Sequence, residues 1–227
     1  IQSMSAAAAE AEIKIVTGDT KVVGKGQADG IFINTAGVGE LIKGVEISAK
    51  KIRAGMKILV SGTLGDHATT ILSARHGLEI PQTLKSDCAP LNKMIFEMLT
   101  VEKNIAMLRD ATRGGIAAVL NEIVSGKNFG ILIEEEKIPV REEVRGVCDI
   151  LGFDFLELAN EGKIIAVVPE NSAEKVLSVM RQNIYGKDAA IIGEVTEKFS
   201  GKVGLQTSIG GVRIVDMPVG NLVPRIC

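Results

Sequence analysis

The sequence predicts an α+β fold, a mixed sheet with helices packed on one face. Three observations predict it. Strand and helix signals are interspersed without a strict β-α-β rhythm, which argues against a doubly wound parallel sheet. Several segments repeat apolar residues at three and four positions, as in Ile116, Val119, Leu120, Ile123 and Val124, which marks one face of a helix. Finally, residues 202–207 and 211–215 read as strands joined by a Gly-Gly turn, a hairpin signal.

Taken in order, residues 2–12 read as a helix with Met4, Ala7, Ala8 and Ala11 on one face. Residues 13–16 and 31–35 read as short strands, with an apolar run at Val22-Val23 between them. A domain boundary is expected around residues 52–56, and Lys57 to Ser61 then has the composition of a buried strand. A helix follows from His67 to His76, with Gly77 as its stop. Ser86-Asp87 and Pro90 mark the start of the next, whose inward face is Leu91, Met94, Ile95, Met98 and Leu99. The helix from Ile116 ends at Gly126, and residues 131–133 form a strand. Pro139 opens a helix with Val140, Val144, Val147 and Leu151 inward, closed by Gly152. Residues 163–168 are a strand. Asn171 with Glu174 resembles a capping box for a helix carrying Ala173, Val176, Leu177 and Met180 inward. Residues 189–195 precede the terminal hairpin as one more strand.

Composition narrows the function. Hydrophobic residues make up 46% of 227, enough for a sizeable core. A net charge of −2, with scattered Lys and Arg, argues against nucleic acid as the main partner, and so does the absence of Trp. No apolar run reaches the length of a membrane span. Three cysteines, Cys88, Cys148 and Cys227, form no C-x-x-C pair, which suits a reducing cytoplasm better than a disulfide framework or a zinc site. Cys88 and Cys148 fall in helical segments and read as small buried apolar residues.

Three polar blocks interrupt apolar structure. Gly18-Asp19-Thr20-Lys21 places an acid and a base two residues apart. Asp can bind Mg²⁺ and Lys a phosphate oxygen, although a plain polar turn has the same composition. Asp110-Ala111-Thr112-Arg113-Gly114-Gly115 precedes a helix; it suits an anion at the helix start, or else a cap with Asp or Thr as the N-cap. Asn160-Glu161-Gly162 sits before a strand, where a carboxylate can act as a general base or simply complete a turn. His67 either contacts substrate or phosphate, or is an exposed or capping residue; His76 is placed to cap carbonyls.

The chain ends in Pro224-Arg225-Ile226-Cys227. Pro218 and Pro224 favour an extended path, and ten residues reach roughly 33 Å when extended. A thiol on such an arm can be loaded at one place and processed at another; a frayed terminus ending in Cys is the alternative.

Taken together, Gly18-Asp19-Thr20-Lys21-Val22-Val23, Asp110-Ala111-Thr112-Arg113-Gly114-Gly115, Ala159-Asn160-Glu161-Gly162-Lys163 and the Pro-Arg-Ile-Cys terminus resemble the HypE family of hydrogenase maturation proteins. That family belongs to the PurM-like superfamily of aminoimidazole ribonucleotide synthetase. The resemblance implies three regions. Residues 1–51 are a remnant of an N-terminal ATP-binding domain, 52–216 a PurM-like C-terminal domain, and 217–227 a tail ending in the modified Cys. Most of the family's N-terminal portion has no counterpart here, which also implies a longer protein. The implied activity is ATP-dependent dehydration of a carbamoyl group, carried on the protein's own C-terminal Cys, to a thiocyanate that supplies cyanide to the hydrogenase iron.

The implied cofactors are ATP and Mg²⁺. The implied partners are the carbamoyltransferase HypF, the HypC–HypD complex, and a second copy bound through the N-terminal domain. Carried over by residue, Cys227 holds the substrate, Glu161 is the base, and Lys21 assists proton transfer or touches phosphate. Asp19 is the implied Mg²⁺ ligand; Asp110, Thr112 and Arg113 shape the phosphate or tail site. A free-substrate synthetase or kinase of the same superfamily, and a non-catalytic module presenting its tail, are the competing readings. Turnover of a free substrate without Cys227 separates the first of these, and nucleotide titration helps with the second, since ATP binding to the longer protein but not to this chain would assign the defect to the missing domain.

Overall fold

A computed structural model describes residues 1–79 and 81–219. The chain divides into two compact units, Ile1–Val45 and a second that starts at Glu46. In the first, helix α1 spans Gln2–Glu10 and buries none of its residues. The strands expected at 13–16 and 31–35 do not form. A strand exists only against a hydrogen-bonding neighbour, and Ile13, Ile15, Val16, Ile31, Phe32 and Ile33 are all exposed.

The second unit is built on one seven-stranded sheet. Its strands are β1 (Lys57–Val60), β2 (Met107–Asp110), β3 (Gly130–Glu134), β4 (Ile164–Val168), β5 (Ala190–Thr196), β6 (Val203–Gln206) and β7 (Val212–Val215). They are ordered β2-β4-β1-β5-β3-β6-β7. Every pairing is antiparallel except β3 with β6, so the sheet is mixed and the fold α+β, as expected. The terminal hairpin is β6–β7, with Val203 opposite Val215.

Among the described residues, five helices accompany the sheet: α2 (Asp66–His76), α3 (Asn92–Val101), α4 (Gly115–Val124), α5 (Glu142–Leu151) and α6 (Ala173–Gln182). They are not confined to one face. Ile116, Val119, Leu120 and Ile123 of α4 share a core with Ile58, Val60, Ile165, Val167, Ile131 and Ile133. Ala173, Val176, Leu177 and Met180 of α6 are buried outside that core, and α6 packs on β1, β5 and α3. All five residues of β4 are buried. Since successive side chains point to opposite faces, that requires cover on both.

Local expectations fared unevenly. α2 stops at Gly77, whose φ of 65° suits glycine. α5 begins at Glu142, three residues after Pro139; the Pro139 carbonyl instead accepts from Leu64 N–H at 2.9 Å. The Asn171–Glu174 capping box does not form, because Asn171 lies inside a 3-10 turn and Ser172 is the N-cap of α6. Strand β2 replaces the start of the expected polar block, since the β4 edge offers Arg109 and Asp110 backbone partners in Ile165 and Ile164.

Candidate functional site

Three turns of the second unit converge, and one buried side chain ties them together. Asn160 is 1% exposed. Its Oδ1 accepts Gly65 N–H at 2.8 Å, from the turn between β1 and α2. Its Nδ2 donates to the carbonyls of Ala111 at 2.9 Å and Leu158 at 3.0 Å. Its own N–H also reaches Ala111 O, and Ala111 N–H donates to Lys163 O, each at 3.2 Å. A buried amide without partners would be costly; here it joins the segments around Gly65, Ala111 and Leu158.

Glu161 follows on this clamp. Its N–H donates to Asp87 Oδ1 at 2.9 Å. Asp87 Oδ2 lies 3.2 Å from Lys163 Nζ, an ion pair with both side chains almost wholly buried and an angle outside hydrogen-bond geometry. Gly162 permits this closeness, because a Cβ there would overlap the Asp87 carbonyl oxygen. The Glu161 side chain itself is 21% exposed and so keeps access to the surface. Its Oε1 lies 3.9 Å from Nε2 of His67.

His67 is fully buried in the first turn of α2, contrary to the expectation of an exposed or capping residue. The helix start is drawn inward there: Ala68 N–H donates to Ala159 O at 3.2 Å. Beside it, Asp66 is also buried, 3.3 Å from Arg141 Nε. Desolvation raises the Asp66 carboxyl above its usual range, against opposing bonds from Thr63 and Arg141.

The Asp110–Gly115 block lies against this clamp but is itself differently placed. Asp110 and Arg113 are exposed and Thr112 is buried. Thr112 Oγ1 donates to Asp110 Oδ2, so neither residue caps α4, whose N-cap is Gly114. Gly115, at φ 59°, has no room for a Cβ beneath the Leu156 and Leu158 carbonyls.

Cys88 is not in a helix and is exposed, receiving a hydrogen bond from Ser86 Oγ at 3.2 Å; a chain running into α3 displaces it from any core. Cys148 is buried in α5 as expected, and its thiol is pushed up to about 11, first by desolvation. Asp19 and Lys21 belong to the first unit and are exposed; Asp19 Oδ1 accepts Thr20 N–H at 2.8 Å. A Mg²⁺ shared with phosphates needs only one or two carboxylates, and Asp19 can offer one. No cluster of three or more metal-ligating side chains occurs among the described residues. Cys227 lies outside the described residues.

Residues 53–206 match the family described as AIR synthase related protein, C-terminal domain. The carbamoyl dehydratase HypE of Rhodobacter capsulatus is 44% identical over all 227 residues, which cover 67% of its length. The chain belongs to the HypE family. HypE of Bradyrhizobium diazoefficiens is 48% identical over 227 residues, all of this chain and 66% of that protein. This chain thus spans about two thirds of these HypE relatives. Crystalline Escherichia coli HypE superposes with a TM-score of 0.92 at 47% identity, over 99% of this chain and 69% of that one. A HypE determined in complex with ATP gives 0.91 at 46% identity, over 99% and 68%. A HypE in a HypE–HypF complex gives 0.90 at 50% identity, over 96% and 70%.

Sequence reasoning singled out Glu161 and His67 separately but not their approach, and gave Asp87, Lys163 and Ser86 no individual role in the site. The Ser86-Asp87 pair was readable as a helix start, which concealed its second use. A Lys beside Gly162 at the head of an otherwise apolar strand was the available signal for Lys163.

Proposed function

We propose that this chain supplies the second domain, the base and the carrier tail of an ATP-dependent carbamoyl dehydratase of [NiFe]-hydrogenase maturation. Membership of the HypE family supports the activity. Relatives determined with ATP and with HypF support the nucleotide and the partner that loads the carbamoyl group. The single observation that carries the reading is the Glu161 turn, a partly exposed carboxylate whose backbone is held by a buried ion pair and a fully bonded amide.

In this reading Cys227 carries the carbamoyl group as a thioester-like S–C(O)–NH₂. The conversion breaks the carbon–oxygen double bond and raises the C–N single bond to a triple bond. The nitrogen loses both of its protons, and the oxygen leaves on phosphate. ATP supplies the phosphoryl group that makes the oxygen a leaving group, with Mg²⁺ on its phosphates. Glu161 accepts a proton from the nitrogen. Lys21 contacts phosphate or takes the other proton, Asp19 offers a carboxylate to Mg²⁺, and Asp110, Thr112 and Arg113 shape the phosphate or tail site. The cyano group then passes to the HypC–HypD complex for the hydrogenase iron, and the longer protein pairs as a homodimer through its first domain.

Mass spectrometry of the longer protein, incubated with HypF, carbamoyl phosphate and ATP, tests this. The tail peptide should gain a carbamoyl group and then lose water, and Cys227→Ala should abolish both changes. Glu161→Gln should stop at the carbamoyl stage. Dehydration that persists in Cys227→Ala would overturn the proposal.

A further inference from the structure

Beyond the residues above, we propose that His67 is a positioning residue that takes the proton on from Glu161. The inference rests on the dehydratase reading, because it concerns the fate of a proton that this reaction releases.

The hydrogen bonds assign the imidazole's protons. Ser86 Oγ has one proton and gives it to Cys88 Sγ at 3.2 Å. The same oxygen accepts Cys88 N–H at 3.4 Å. We take its 2.9 Å contact with His67 Nδ1 as one in which Nδ1–H donates, the tautomer that the relay requires. That leaves the lone pair on Nε2. Nε2 is fully buried, makes no hydrogen bond among the described residues, and lies 3.9 Å from Glu161 Oε1. A buried, unsatisfied nitrogen costs stability unless it serves something. A small rotation of Glu161, or a single water, closes the gap.

The surroundings hold that geometry. Ala68 N–H to Ala159 O and Gly65 N–H to Asn160 Oδ1 fasten both flanks of His67 to the turn that carries Glu161. From the opposite side, Ser86 holds the ring and Asp87 holds the Glu161 backbone. Several charged and titratable groups are tied to the ring, to its contacts or to its helix among the described residues. They are Glu161, Asp87 with its partner Lys163, Cys88, and on its own helix Asp66 with its partner Arg141.

The step balances. Glu161 removes an N–H proton from the carbamoyl group and becomes a carboxylic acid. Its O–H bond then breaks as Nε2–H forms, giving imidazolium and restoring the carboxylate. Two protons leave one nitrogen in each turnover, so a base that is emptied at once can act again. The imidazolium returns its proton to solvent through Glu161 after product leaves.

The test uses the longer protein, loaded by HypF and followed by mass spectrometry in single-turnover and steady-state modes. His67→Gln keeps a polar side chain but cannot carry a proton. It should lower the dehydration rate by ~100-fold, the low end for acid–base assistance, while loading of Cys227 and the KM for ATP stay unchanged. The pH dependence of its rate should also flatten, because the variant has no proton to exchange at that position. His67→Gly with added imidazole should recover part of the rate. Ser86→Ala, which releases Nδ1 without opening the core, should cause a smaller loss and serves if His67→Gln fails to fold. Wild-type rate and pH profile in His67→Gln, or in Ser86→Ala where that variant is the one that folds, would overturn the relay alone. Absence of any Cys227 dehydration in the unmutated protein would instead overturn the dehydratase reading, and the relay with it.

Discussion

The turns at Asn160–Lys163 and at Asp110–Arg113 are neighbours, since Asp110 pairs with Ile164 across β2 and β4. Both place an acid and a base at the same end of the sheet, with glycine inside the first turn at Gly162 and directly after the second at Gly114. They are built in opposite ways. In the first, Asn160 and Lys163 are buried and their polar atoms are met by protein groups. In the second, Asp110 and Arg113 are exposed and Thr112 bonds within the turn. Burial of polar groups is costly, so it persists where partners compensate it. The first turn is a fixed base for Glu161, whereas the second, anchored at Ala111, keeps its charged side chains Asp110 and Arg113 at the surface.

Five substitutions break or sharpen this contrast. The largest effect is expected from Lys163→Met, which strands the buried Asp87 carboxylate. Urea unfolding should show a loss of about 3–5 kcal/mol, and a loss below 1 kcal/mol would mean the pair is not structural. Asn160→Ala should cost about 2–3 kcal/mol, because Gly65 N–H is left buried without an acceptor. Its urea midpoint should fall while the slope stays constant.

The second turn should be more tolerant. Thr112→Ala should cost about 1 kcal/mol, and Arg113→Ala should stay within about 0.5 kcal/mol. A larger loss for Arg113→Ala in thermal unfolding would erase the distinction between the turns.

The smallest effect concerns Asp66, behind the first turn. Its carboxyl is raised above 3.8 by desolvation. Between 3.8 and the raised native value, the native state keeps a proton that the unfolded chain has lost. Its contribution to stability is therefore greatest below that window, falls as pH rises through it, and is constant above. Asp66→Asn should remove that fall, so the stability difference between variant and parent should change across the acid window and level off by neutral pH. A difference that does not vary with pH would show that Arg141 and Thr63 fully offset the burial.

Much of the sheet was legible. β1, β3, β4, β5 and the β6–β7 hairpin appear where apolar runs end at turns, and Met94, Met98, Val176 and Met180 are buried as their helical spacing required. β2 was missed because half of it is polar. Arg109 and Asp110 form an edge strand through backbone bonds to β4, and those are indifferent to side chains. The strands expected at 13–16 and 31–35 failed for the converse reason, since apolar content does not supply a pairing partner.

The site divides in the same way. The blocks at residues 18–23, 110–115 and 159–163 and the terminal Cys227 stood out as candidates from residue type and spacing, and their order along the chain carried the resemblance, whereas His67 had only competing readings. The sequence alone determined which chemical groups exist and which local periods they follow, because both are properties of near neighbours. Only the tertiary structure decided that α2 buries His67 against Glu161, that Asp87 and Lys163 form a buried pair behind it, and that Asn160 closes three turns at once. Those contacts join residues 74 to 95 positions apart for Glu161–Asp87 and Asn160–Gly65. Their energy depends on burial and distance, which no local pattern encodes.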